Sequence, residues 1–181
     1  MISYLLAGPA EEPVSLAETK AFLRLDGDAE DGLVLSLIAA ARLHVEAVTG
    51  RALVSQSWRL VLDAWPAELR VPVSPVIEVT DARAFDEQDD DHALDLAGLR
   101  VAGDTLLLPD DPGLPVLRPR LGVEIDYAAG FGDAADVPDD LKRAVLALVA
   151  HWFEHRDRAV ADAVAPVGFD RLVAAYRRVR L

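Results

Sequence analysis

The chain of 181 residues contains no cysteine, which removes disulfides, zinc-thiolate sites and thiol nucleophiles together and leaves nothing that needs an oxidising compartment. Cytoplasmic synthesis is the resulting expectation. Lysine is nearly absent too: Lys20 and Lys142 stand alone, and the remaining basic side chains are arginines. Against 31 Asp and Glu this leaves a formal net charge of −13. So acidic a chain does not wrap nucleic acid, because phosphate contacts need a surplus of Lys and Arg at the contact face. The same charge suits the wall of a channel through which DNA passes without sticking. The longest apolar stretches, such as residues 144–150, fall far short of the roughly 20 residues a membrane helix needs, so no membrane partner is expected. Residues 1–9 carry no basic n-region, and Gly8 and Pro9 break their short apolar run, against the pattern of a signal peptide.

What is present specifies a folded chain. The hydrophobic fraction of 52% with 27% charged residues is globular in composition. The length suits one buried core, so residues 1–181 are expected to form a single domain.

Periodicity divides the chain into three zones. Ser15 and Glu18 have capping-box spacing before a short helix whose apolar face is Leu16, Phe22 and Leu23. A longer helix begins around residues 29–31 and runs to Thr49, with Gly50 as its C-cap and Leu33, Leu37, Ile38, Ala41, Val45 and Val48 as its core face. From about residue 51 to 130, β-branched residues alternate with polar ones between prolines and glycines. Strands are expected at residues 56–62, 76–85 and 123–127, with a hairpin over 99–108 turning at Ala102-Gly103-Asp104. The tract Asp86-Glu87-Gln88-Asp89-Asp90-Asp91 reads as a solvated loop, since like charges at that density repel one another. Helix returns at Pro138 with an apolar face of Leu141, Val145, Leu148, Val149 and Trp152, ending around residues 156–158. Residues 159–168 read as a linker and 169–176 as a last helical turn or two, before a basic tip of Arg177, Arg178 and Arg180. The fold class is therefore α+β: a small bundle of about four helices (residues 14–51 and 137–181) with a β-rich insertion of hairpins (52–130) between the second and third main helices.

Chemistry-bearing motifs are few. His151-Trp152-Phe153-Glu154-His155 matches the H-x-x-E-H pattern of inverted zinc proteases, in which histidines at i and i+4 share a helix face and the Glu serves as general base. It would make the chain a metal-dependent hydrolase, but no downstream acidic helix supplies a third ligand. The competing reading packs Trp152 and Phe153 inward and leaves Glu154, His155 and Arg156 as a polar or interface edge at the helix end. Asp89, Asp90 and Asp91 beside His92 lack the alternation, central Gly and distal Glu of a calcium loop. Gly130-Phe131-Gly132-Asp133 lacks the lysine and hydroxyl of a phosphate loop and reads as a turn. No catalytic residue, cofactor or metal site is assigned, and an enzyme is not expected. A generic regulatory binding module stays open as a further alternative.

In order along nearly the whole chain, these pieces resemble the head-tail connector, or adaptor, proteins of long-tailed phages and gene transfer agents. The resemblance is carried by residues 13–26, Pro13-Val14-Ser15-Leu16-Ala17-Glu18 through Leu25-Asp26, then Asp31, Glu46-Ala47-Val48-Thr49-Gly50-Arg51-Ala52-Leu53 and Gln56-Ser57-Trp58. It continues in Asp126-Tyr127-Ala128-Ala129-Gly130-Phe131-Gly132, Val137-Pro138, Leu141 and His151-Trp152-Phe153-Glu154-His155-Arg156, where the family often has Asn at the position of His155. The long β-rich middle departs from the shortest members.

The resemblance implies a virion structural protein made in the cytoplasm and carried in the particle's neck. It implies a homo-oligomeric ring of about twelve subunits, closed by heterologous contacts, beneath the portal protein and above a tail-side connector or stopper. DNA would pass through the lumen without sequence-specific binding. Interface residues expected on this reading are Trp152, Glu154, His155 and Arg156 at the helix end and Tyr176, Arg177, Arg178 and Arg180 at the tip.

Overall fold

The computed structural model describes residues 1–155 and 165–177. The expected helix end and linker at 156–164, and the tip beyond Arg177, lie outside the described residues. Among those described, the fold is α+β, with four α-helices and eight strands in antiparallel sheets, the hairpins falling between the second and third helices. The chain divides into two compact units, each built from two separate stretches: residues 11–54 with those from 131 on, and residues 1–10 with 55–130.

The first unit is helical. Helix α1 (Leu16–Leu23) starts with the expected capping box, Ser15 accepting from the Glu18 N–H at 3.1 Å while the Glu18 carboxylate accepts from the Ser15 N–H at 2.8 Å. It stops at Arg24, which takes a left-handed φ of 57° and ends the helix before the Asp26-Gly27-Asp28 stretch. Helix α2 (Asp31–Thr49) ends on Gly50 at φ 67°, whose N–H returns to the Glu46 carbonyl. Its fully buried apolar residues are Val34, Ile38, Ala41 and Val45. Val34 thus replaces Leu33 in the expected core face, while Leu37 and Val48 pack at its margin. By length and composition alone α2 could cross a membrane. Its apolarity is accounted for by core packing on one side, together with a paired Arg42 that would be costly in lipid.

Helix α3 (Asp139–Glu154) follows Pro138 and carries Asp139 and Asp140 in its first turn, where the helix dipole favours anions. Leu141, Ala144, Val145, Leu148 and Val149 are buried with the α2 face in one cluster. Burying each such Leu or Val side chain contributes roughly 1.5–3 kcal/mol. Helix α4 (Phe169–Val173) and a 3₁₀ turn at Ala174–Tyr176 close the cluster with Phe169 and Val173. Arg42 is buried, yet it stays charged because Glu12 (Nε to Oε2, 2.8 Å) and Glu46 (Nη1 to Oε2, 3.0 Å) flank it. Burial pulls its pKa down, and the two carboxylates raise it further than burial lowers it.

The second unit is β. Strand β1 (Ile2–Ala7) precedes β2 (Gln56–Leu62), β3 (Glu68–Arg70), β4 (Val76–Phe85), β5 (Asp91–Ala93), β6 (Arg100–Ala102), β7 (Thr105–Leu107) and β8 (Val123–Ala129). A five-stranded antiparallel sheet runs β1-β2-β8-β4-β5, and a three-stranded one runs β3-β7-β6. Strand β8 alternates buried Val123, Ile125, Tyr127 and Ala129 with half-buried Glu124, Asp126 and Ala128, the period of two that places every second side chain on one face. Tyr127 is fully buried and donates its hydroxyl to the Val73 carbonyl at 3.3 Å.

Candidate assembly surfaces

At the end of α3 the His151 and His155 rings lie 4.4 Å apart, tilted by 36°. The His155 Nδ1 sits 2.7 Å from the His151 carbonyl, which can only accept, so Nδ1 is the protonated nitrogen. No group of three His, Asp or Glu side chains able to hold a metal occurs among the described residues.

Trp152 is half-buried, edge-on to His44 at 5.9 Å between ring centres, and His44 in turn lies 5.5 Å from Phe169. The indole therefore belongs to the packing of α2, α3 and α4, and its buried Nε1 has no hydrogen-bond partner among the described residues. Glu154 is exposed and His155 half-buried, whereas Arg156 lies outside the described residues. Tyr176 meets Phe131 edge-on at 6.3 Å, and its carbonyl accepts from Arg51 Nε at 3.3 Å. Arg177 is exposed and ion-paired with Asp170. Arg178 and Arg180 lie outside the described residues.

Residues 87–91 of the acidic tract are exposed, whereas Asp86 is half-buried and Asp91 opens β5, and the turn is organised. One oxygen of Asp86 accepts from the N–H groups of Gln88 (2.9 Å) and Asp90 (3.0 Å), and the other lies 2.7 Å from His92 Nε2. These contacts, the His92 hydrogen bond foremost, hold the Asp86 carboxyl below its usual pKa. Arg118 pairs with Asp89 at 2.9 Å and stacks 4.5 Å over the Phe85 ring. Charge density marked this loop in the sequence, and the Asp86 side chain adds a local cause by capping the backbone two and four residues on.

Across the large sheet the register aligns Tyr4, Arg59, Asp126 and Asp81 on four successive strands. Arg59 holds Asp126 through two bonds of 2.6 Å and Glu124 through one of 2.8 Å. The Asp126 hydrogen bond is the chief cause raising the Arg59 pKa above its ordinary value. Arg83 pairs with Asp81 at 2.6 Å. The row ends at β1, a strand that the sequence reading left unassigned. In β1 Ile2, Tyr4, Leu5 and Leu6 are each more than 40% exposed, a run of apolar surface at a sheet edge.

The described chain thus combines a helical unit with a β unit whose edge strand exposes apolar side chains. The model of the head completion protein family matches residues 12–163, and the chain belongs to that family. The resemblance to phage and gene transfer agent connectors is thereby borne out. The chain is 32% identical, over its whole length and 97% of the other chain, to a protein in the neck of an empty gene transfer agent particle computed with C6 symmetry, at a TM-score of 0.83. It is similarly 32% identical to a chain of the native gene transfer agent virion (TM-score 0.81). The identity is 31% to a chain in the native neck computed with C12 symmetry (TM-score 0.76). Both matches again cover 100% of this chain and 97% of the other. A comparison with curated proteins gave no match.

Proposed function

We propose that this chain is a head-tail connector subunit that forms a ring beneath the portal, joins the DNA-filled capsid to the tail and continues the DNA channel. The observation that carries the reading is the match to gene transfer agent neck proteins across the whole chain. Both units then act as parts of one ring subunit, without catalysis. On this reading the net charge of −13 keeps passing DNA from adhering. The loop at 86–91, pinned by Arg118, faces solvent or the lumen. The portal and a tail-side connector or stopper are the neighbours, and about twelve copies close the ring. The proposed contact residues are Glu154, His155 and Arg156, with Trp152 beside them, and the tip of Tyr176, Arg177, Arg178 and Arg180.

Deleting the gene in the host that makes the particle tests this. Filled heads and free tails that do not join, with joining restored by the gene in trans, are expected; normal particles without the protein would refute the reading. Removing residues 176–181 separately tests the tip: the truncated chain is expected to fold but not to dock, and unchanged docking overturns that role.

A further inference from the structure

The five-stranded sheet has two open edges on opposite sides. At one, β1 pairs only with β2 among the described residues. At the other, β5 covers β4 only at Arg83, Ala84 and Phe85, with Leu94 N–H reaching the Ala82 carbonyl, so among the described residues no strand pairs with 76–81 of β4 on their outer side. Exposed edges are templates for strand addition, and natural proteins usually blunt them with Lys, Pro or inward charge. Strand β1, Ile-Ser-Tyr-Leu-Leu-Ala, has none of these. In a chain of charge −13 it is also an uncharged strip along which a second copy can approach without like-charge repulsion.

We propose that neighbouring copies of this chain join edge to edge through this sheet, β1 of one copy pairing with residues 76–81 of β4 in the next. The inference rests on the reading of the chain as a ring subunit and assigns that ring one of its contacts. A cyclic ring needs two different complementary surfaces per subunit, and one sheet supplies both here. Direction fits as well. From β1 through β2 and β8 to β4 the strands alternate over an even number, so β4 runs opposite to β1. The small rotation between neighbours in a many-membered ring leaves strand direction nearly unchanged, so the new pair is antiparallel and continues the pattern. Register adds side-chain detail: Ile2, Tyr4 and Glu78 lie on the face of Arg59 and Asp126, whereas Leu5 and Val79 lie on the face of Trp58 and Tyr127.

The absence of native cysteine makes the test clean. Full-length Tyr4→Cys/Glu78→Cys and Leu5→Cys/Val76→Cys double variants, whose positions share a face and face one another in a single antiparallel register, are incorporated into particles and treated with a short flexible bis-maleimide, which tolerates a residue of register error. The expected product is a ladder of covalent multimers extending beyond the dimer, with each single-cysteine variant giving no species above a dimer. Variants present in purified necks without a ladder overturn the edge contact and leave the connector reading standing. A chain absent from the necks of particles whose heads and tails are joined overturns both.

Discussion

Arg59 and Asp126 face one another across the β2–β8 ladder with two parallel hydrogen bonds, Nε to Oδ1 and Nη2 to Oδ2, each 2.6 Å long. Both side chains are about one-fifth exposed or less. The fork geometry is one that a lysine cannot reproduce. Asp126→Asn is therefore expected to lower stability by roughly 1–3 kcal/mol, read as a shift of the urea midpoint at unchanged slope. Arg59→Lys is expected to lose nearly as much, although it conserves the charge.

The capping box of α1 gives a pH-dependent prediction. Glu18 is held below its ordinary value of 4.5, first by the Ser15 N–H and then by the Ser15 hydroxyl, against a smaller opposite push from burial. A carboxyl lowered by folding contributes stability that is complete above its unfolded pKa and is lost as pH falls through the folded one. Melting temperature should therefore fall more steeply below about pH 4.5 in the native chain than in Glu18→Gln. Ser15→Ala should cost about 1 kcal/mol at neutral pH.

Gly132 sits at φ 125°, and an added Cβ would stand 2.5 Å from the Asp136 carboxylate oxygen that accepts the Asp133 N–H. Gly132→Ala is expected to destabilise the chain by about 1–3 kcal/mol through backbone strain and loss of that turn. The far-UV circular dichroism should be retained, because the turn precedes α3 rather than lying within it.

His155→Asn should leave stability unchanged, since among the described residues the imidazole meets the His151 ring and carbonyl one turn back. Zinc titration of the purified chain followed by calorimetry should give no saturable heat. Tight binding abolished by His151→Ala would contradict the assembly reading of this helix end.

Leu148 is fully buried at the centre of the α2–α3 packing. Truncating it to alanine should cost about 2–5 kcal/mol, whereas Leu43→Ala, at a position 57% exposed, should cost under 1 kcal/mol in the same denaturation assay.

The elements legible in the sequence were those with enough residues to show a period. Strands β2 and β4 have the bounds that alternation gives, and Gly50 and the Ser15–Glu18 pair mark helix ends by local chemistry. Strands β3 and β5, three residues each, are shorter than any period and are defined by partners distant in sequence. Strand β1 escaped notice for another reason: with nearly every residue exposed it shows no inside-outside alternation, and its role follows from its position at an edge. Of the expected contact residues, Trp152 lies against His44 as its place on the apolar face of α3 suggested, and Tyr176 meets Phe131. Sequence spacing places an aromatic on a helix face without saying which neighbour covers that face.

The interleaving of the two units governs when the chain can fold during synthesis. Strand β1 emerges from the ribosome first, but its partner β2 comes some fifty residues later, and β2's other neighbour, β8, only at Val123–Ala129. The helical unit waits longer still, since α2 cannot bury its apolar side until α3 has been made. Nascent chains halted before residue 139 thus leave the Val34–Val45 stripe without its α3 partner and open to chaperones and proteases.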